Sequence, residues 1–102
     1  MSPCSSFDEI ITGFRLALGG AQGHFGVIPD LATFGKTVGG GLPLSVVAGR
    51  QEVMELMLGG GVVFGGTFNG NPVSLAAAEA ILEVLSHDNG APLAQAIARG
   101  RC

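Results

Sequence analysis

Pro29-Asp30-Leu31-Ala32-Thr33-Phe34-Gly35-Lys36-Thr37-Val38-Gly39-Gly40-Gly41 decides how the rest of the chain is read. Pro29-Asp30 is a turn signal, Leu31-Ala32-Thr33-Phe34 is a short apolar run that fits a buried strand, and Lys36 follows one residue after it. Lys36 is the chain's only lysine. A lone lysine is ordinarily a solvated surface charge. Between a strand and a glycine triplet, however, its surroundings are expected to be buried or close to a ligand. Desolvation favours the neutral, nucleophilic amine that a Schiff-base lysine needs. Gly35-Lys36-Thr37 also matches the end of a nucleotide phosphate loop, but the first glycine of that motif would fall at Asp30, whose carboxylate would repel the phosphate. A dinucleotide fingerprint fails as well, because Gly39 and Gly41 lead to Leu44, and Gly59 and Gly61 lead to Phe64.

Working outward, Leu44 to Gly49 is a second buried-strand candidate, and Gln51 to Leu58 reads as a helix with Val53, Leu56 and Met57 on one face. Met54 and Met57 are expected in the core. After the brief apolar run Val62-Val63-Phe64 and the turn Gly65-Gly66-Thr67 comes the clearest element. Asn71 is a helix N-cap and Pro72 sits at the first helical position, where its missing N–H does no harm. Val73, Ala76, Ala77, Ala80, Ile81, Val84 and Leu85 recur at helical spacing, and Asn89-Gly90 is the stop. Pro92 opens a further short helix through Ile97, leaving Arg99-Gly100-Arg101-Cys102 as a tail. Upstream, Phe7-Asp8-Glu9-Ile10-Ile11 begins as if a buried strand had just ended, and residues 12–26 read as glycine-punctuated loop with one short helix. Short strands alternating with helices argue an α/β fold.

Only 13% of the 102 residues are charged, against roughly 25% in an ordinary soluble domain. A small domain is mostly surface and a surface wants charge, so this bias is expected of a segment from the interior of a larger protein. With one lysine, four arginines and a net charge of −3 there is no basic patch for nucleic acid. No apolar run approaches a membrane span, and Met1-Ser2-Pro3-Cys4 has none of the features of a signal peptide. Cys4 and Cys102 lack metal-ligand spacing and suggest a reducing cytoplasm, with a staple between them as the lesser alternative. His24 and His87 likewise lack metal partners, and Arg15 reads as an exposed or salt-bridged cation.

Asp8 alone would pass for a turn residue. Three segments taken together point further. Phe7-Asp8-Glu9-Ile10-Ile11-Thr12-Gly13-Phe14-Arg15 is similar to the aspartate segment of class III aminotransferases. Pro29 to Lys36 with Gly39-Gly40-Gly41-Leu42-Pro43 resembles their lysine segment, and Gly66-Thr67 ahead of Gly70-Asn71-Pro72 resembles their phosphate-threonine segment. Gly19-Gly20-Ala21-Gln22 with the glycine triplet most resembles the glutamate-1-semialdehyde 2,1-aminomutase branch. Phe68-Asn69 stand where that branch commonly has Leu-Ser, which leaves ordinary transamination open beside the mutase reaction.

The resemblance implies a partial large domain of the fold-type I pyridoxal-phosphate-dependent transferase fold over residues 7–88. Residues 1–6 would be a start foreign to the family, and residues 89–102 a C-terminal tail with a short helix. It implies pyridoxal 5'-phosphate as cofactor, no metal, an amino acid or amine as substrate, and a homodimer. Lys36 would hold the cofactor aldehyde and shuttle the substrate proton, and Asp8 would keep the pyridine nitrogen protonated. Ile10 would pack on the ring, and Gly66-Thr67 would bind the phosphate from the neighbouring subunit. The upstream half of the large domain and the small domain are absent from these residues, so the isolated chain is expected to show little or no turnover. The alternatives are a non-catalytic remnant, or a fragment that binds cofactor or a relative without reaction.

Overall fold

The computed structural model describes residues 4–100, and its elements alternate as an α/β chain should. Strand β1 (Ser6–Glu9), helix α1 (Gly20–Phe25), β2 (Leu31–Phe34), β3 (Val46–Gly49), and helices α2 (Gln51–Leu58), α3 (Pro72–Ser86) and α4 (Ala91–Gly100) follow in order. Short 3₁₀ turns occupy Lys36–Gly39 and His87–Gly90.

The three strands form one sheet in the order β1-β2-β3. β1 and β2 run parallel, with Asp8 opposite Thr33 and Glu9 opposite Phe34. β3 returns antiparallel, with Thr33 opposite Val47. Asp30 ties the sheet's near end together. Its carboxylate accepts from the Ser5 N–H at 2.8 Å and the Ser5 hydroxyl at 3.0 Å, and pairs with the Arg50 guanidinium at 2.9 Å. The residue that spoils a phosphate loop therefore joins β1, β2 and the end of β3.

The strand expected over Leu31–Phe34 and the helix expected over Gln51–Leu58 stand where the sequence placed them. Three expectations need correction. The first strand has not ended before Phe7 but runs through Glu9. The Leu44–Gly49 run begins its strand at Val46 and is largely exposed, because among the described residues its faces at this edge of the sheet are little covered, with Val46 half-buried and Val47 exposed. Arg99 and Gly100 belong to α4 rather than to a tail; Arg101 and Cys102 lie outside the described residues. So, with Cys102, does the staple weighed from the sequence, as do Met1 to Pro3 of the signal-peptide reading. Cys4 is exposed.

Helix α3 starts as its sequence demands. The Asn71 side-chain oxygen accepts from the N–H groups of Val73 at 3.0 Å and Ser74 at 3.1 Å, with Pro72 in the first turn. Asn71→Ala is expected to cost about 1 kcal/mol. That should lower the thermal midpoint of a chain this size by roughly 4–8 °C in a circular-dichroism melt. The face α3 buries is narrower than the apolar stripe suggested: Ser74 and Ala78 are buried, Ala77, Ile81 and Leu85 half-buried, and Val73, Ala76, Ala80 and Val84 exposed. The inward face packs on the turn Lys36–Gly39 and on α4. Among the described residues, Ala32, Val38, Ala78 and Leu93 make up the buried hydrophobic core. The helix α2 face is also partial, with Val53, Met54 and Met57 half-buried and Leu56 exposed.

Candidate cofactor site

In a parallel α/β sheet the carboxyl ends of the strands are where ligands bind, because the loops leaving them diverge. Here β1 and β2 are the parallel pair, and the candidate residues sit at or just past those ends. Asp8 lies one residue before the end of β1 and Ile10 one residue after it, while Lys36 lies two residues past Phe34, the end of β2. Asp8 is exposed, and its Oδ1 accepts the Ile10 N–H at 3.1 Å. A Cβ added at Gly35 would meet the Ile10 side chain at 3.4 Å, so Ile10 sits against the residue that precedes the lysine.

Of the two surroundings expected for Lys36, burial or closeness to a ligand, the chain leaves the second. Lys36 is exposed, so this chain does not supply the burial. What the chain does supply is an unusual backbone. Lys36 has φ +47°, in the left-handed region that a side-chain-bearing residue seldom occupies and that Phe14, Asp88 and Asn89 share with it among the described residues. It opens the 3₁₀ turn Lys36–Gly39, whose far end is Gly40 at φ +59°. Strain of this kind persists where the surroundings enforce it and is concentrated at ligand sites.

Gly66 and Thr67 are not part of this edge. They line a separate cleft of about 960 Å³ together with Pro43, Val46, Met57, Phe64 and Leu75 among others. Asp8, Ile10 and Lys36 are not among its lining residues. The sheet thus places Asp8, Ile10 and Lys36 at adjoining strand ends, while Gly66 and Thr67 line a cleft shared with Leu44, which lies against Gly35 and Gly39. His24 is exposed with its ring edge-on to Phe25 at 4.8 Å, His87 is exposed, and no group of three metal-ligating side chains occurs among the described residues. Arg15 is exposed.

Sequence reasoning passed over Glu9. It is fully buried, and its carboxylate accepts from the Thr12 hydroxyl at 2.9 Å, the Gln22 side-chain amide at 2.6 Å and the Ala21 N–H. Helix α1 has no side-chain N-cap of its own, since Gly19 holds that position. Glu9 therefore supplies from a distance the acceptor that the helix start lacks. Burial raises the Glu9 carboxyl's pKa, but the hydrogen bonds from Gln22, Ala21 and Thr12 outweigh it and hold the group below its ordinary value. The Ser5 hydrogen bonds, helped by Arg50, lower Asp30 in the same way.

A carboxyl depressed in the folded state stabilises it above the unfolded-state pKa and loses that contribution as pH falls through the folded one. The thermal midpoint should therefore be flat above about pH 5 and fall as pH drops below roughly 4.5. Repeating the melts with Glu9→Gln should show a shallower acid decline; an unchanged profile would remove Glu9 from this account.

The backbone places the chain in a known fold. It superposes on an omega-transaminase from Sphaerobacter thermophilus with TM-score 0.73 and 41% identity, covering 79% of this chain and 19% of that one. A transaminase with pyridoxal phosphate bound superposes with TM-score 0.74 and 29% identity, over 80% of this chain and 20% of that one. The fold is thus a mixed α/β part of the fold-type I pyridoxal-phosphate-dependent transferases. Residues 6–100 match the family described as aminotransferase class-III, and the chain belongs to that family, whose members use pyridoxal phosphate. Glutamate-1-semialdehyde 2,1-aminomutases from Methanosarcina acetivorans and Sulfolobus acidocaldarius are each 56% identical over 84 residues, which is 81% of this chain and 20% of those proteins. The chain therefore spans about a fifth of the length of these relatives. Among the described residues, no helix is long and apolar enough to cross a membrane.

Proposed function

We propose that this chain carries the cofactor-attaching edge of a pyridoxal-phosphate enzyme that moves an amino group on an amino acid or amine. The observation that supports this best is Lys36 itself: a lone lysine held at φ +47°, just past the end of the strand beside the one bearing Asp8. The donor set suits pyridoxal phosphate, with a primary amine for its aldehyde and a carboxylate for its ring nitrogen, and an apolar side chain between them. The cofactor, when bound, supplies an electron sink that acidifies the substrate's α-carbon. Lys36 would hold it by the aldehyde, and its amine would move the substrate's α-proton. Asp8 holds a proton on the ring nitrogen, and Ile10 packs the ring face.

Gly66 and Thr67 bind the cofactor phosphate of a second subunit. The adjoining N-terminus of α3, which favours an anion, supports this. The site is then complete only in a homodimer. Residues 7–88 form part of the cofactor-binding domain. The two aminomutase relatives favour rearrangement within one substrate, while the superposed transaminases keep transfer between two substrates in play. A second reading, in which the chain holds cofactor without turnover, is favoured by the exposure of Lys36, which leaves its amine without the desolvation that would activate it.

Asp8→Asn tests the assignment. The amide keeps the size but cannot hold the ring proton, so exchange of an amino donor's α-proton should fall by orders of magnitude while covalent cofactor attachment persists. Exchange as fast as in the parent would overturn the role of Asp8. Attachment without exchange in the parent would establish the second reading.

A further inference from the structure

We infer that Glu9 is a positioning residue, which sets the direction of Asp8 by locking the end of β1 to the segment spanning residues 12–22. This rests on the role proposed for Asp8. Neighbouring side chains on a strand point to opposite faces. Glu9 therefore enters the side covered by the following loop and α1, while Asp8 emerges on the other, in register with Thr33.

Both polar ends of Glu9 are gripped. Its carboxylate takes the Thr12 hydroxyl, the Ala21 N–H and the Gln22 amide, and its carbonyl oxygen takes the Gly13 N–H at 2.8 Å. The grip leaves no slack. A Cβ at Gly13 would come within 2.7 Å of the Glu9 carbonyl oxygen and 2.6 Å of the Phe34 ring, so strand, loop and neighbouring strand are in contact at one point. A strand held this way cannot turn about its axis without breaking a buried charge-assisted network, which is far costlier than moving an exposed side chain. Asp8, exposed and bonded to the Ile10 N–H, has no comparable restraint of its own. Its direction is inherited from Glu9.

The three groups hydrogen-bonded to the Glu9 carboxylate are all donors. Glu9→Gln keeps the shape but turns an N–H₂ group towards one of them, which loosens the lock. Hydrogen exchange of the Ile10 amide, followed by NMR without cofactor, reads the consequence. We expect exchange at Ile10 to accelerate about tenfold or more in Glu9→Gln. The Arg50 amide, which donates to the Asp30 carbonyl at 3.0 Å on the far side of the sheet, should keep its protection. Thr12→Val, which removes one donor and leaves the carboxylate, should give a smaller acceleration at the same amide.

Faster exchange at Gly23 in α1 with Ile10 unchanged would overturn the inference, because Glu9 would then hold only the helix. So would a uniform loss of protection in Thr12→Val. Trapping pyridoxal phosphate on Lys36 of the parent chain tests the functional reading separately. Trapping with no effect at Ile10 removes the positioning role alone, and an effect at Ile10 without trapping removes the cofactor reading alone.

Discussion

Gly20→Val is expected to remove a large share of the chain's stability and to lower its thermal midpoint steeply. Gly20 has φ +65°, and a Cβ there would fall on the Glu9 carboxylate. The left-handed backbone costs a side-chain-bearing residue about 1–2 kcal/mol. Displacing Glu9 strands buried donors at about 1–3 kcal/mol each. A loss of roughly 3–5 kcal/mol is then expected, against a total stability of about 0.05–0.15 kcal/mol per residue for ordinary domains. Gly26 is the internal control, because its φ is +68° and nothing lies within 4 Å of its missing Cβ. Gly26→Val carries the backbone penalty alone. Thermal melts should separate the two variants widely, and equal midpoints would show that Glu9 does not fill the space behind Gly20.

Lys36→Gly is expected to do the reverse, leaving the fold intact and removing the chemistry. Glycine enters the left-handed region without a steric penalty, so the turn at Lys36–Gly39 should be unchanged or more stable by up to about 1 kcal/mol. The side chain is exposed, so little packing is lost. Covalent retention of pyridoxal phosphate on a lysine should nevertheless disappear, since Lys36 is the only lysine and the amino terminus is the one other amine. A residue that is unfavourable for its backbone position and yet dispensable for folding is expected where function sets the choice. Retention at the parent level in Lys36→Gly would move the attachment elsewhere.

The elements most legible in the sequence are those whose ends carry their own chemistry. Leu31–Phe34 is bracketed by Pro29-Asp30 and Gly35, and α3 is announced by Asn71-Pro72, so the positions of Lys36 and of the phosphate-like turn could be read directly. β3 misled because an apolar run signals burial only when another element covers it, and β3 lies at an edge. Helix α3 is apolar nearly all round, with Ala76, Ala77, Ala78 and Ala80, so spacing alone could not select the face that packs. Glu9 was hidden for a different reason. Its partners lie up to 13 residues away in sequence, and nothing local distinguishes it from Asp8. One signal was available: Gly19-Gly20-Ala21-Gln22 starts a helix without a capping side chain, and such a start requires an acceptor from elsewhere.

Borohydride reduction of the chain with pyridoxal phosphate, followed by peptide mass mapping, tests the central claim most directly. The chain offers two primary amines, the Lys36 side chain and the amino terminus at Met1. The account predicts the cofactor adduct on the peptide containing Lys36, at a yield that excess free lysine does not compete away. An adduct confined to Met1 would contradict it.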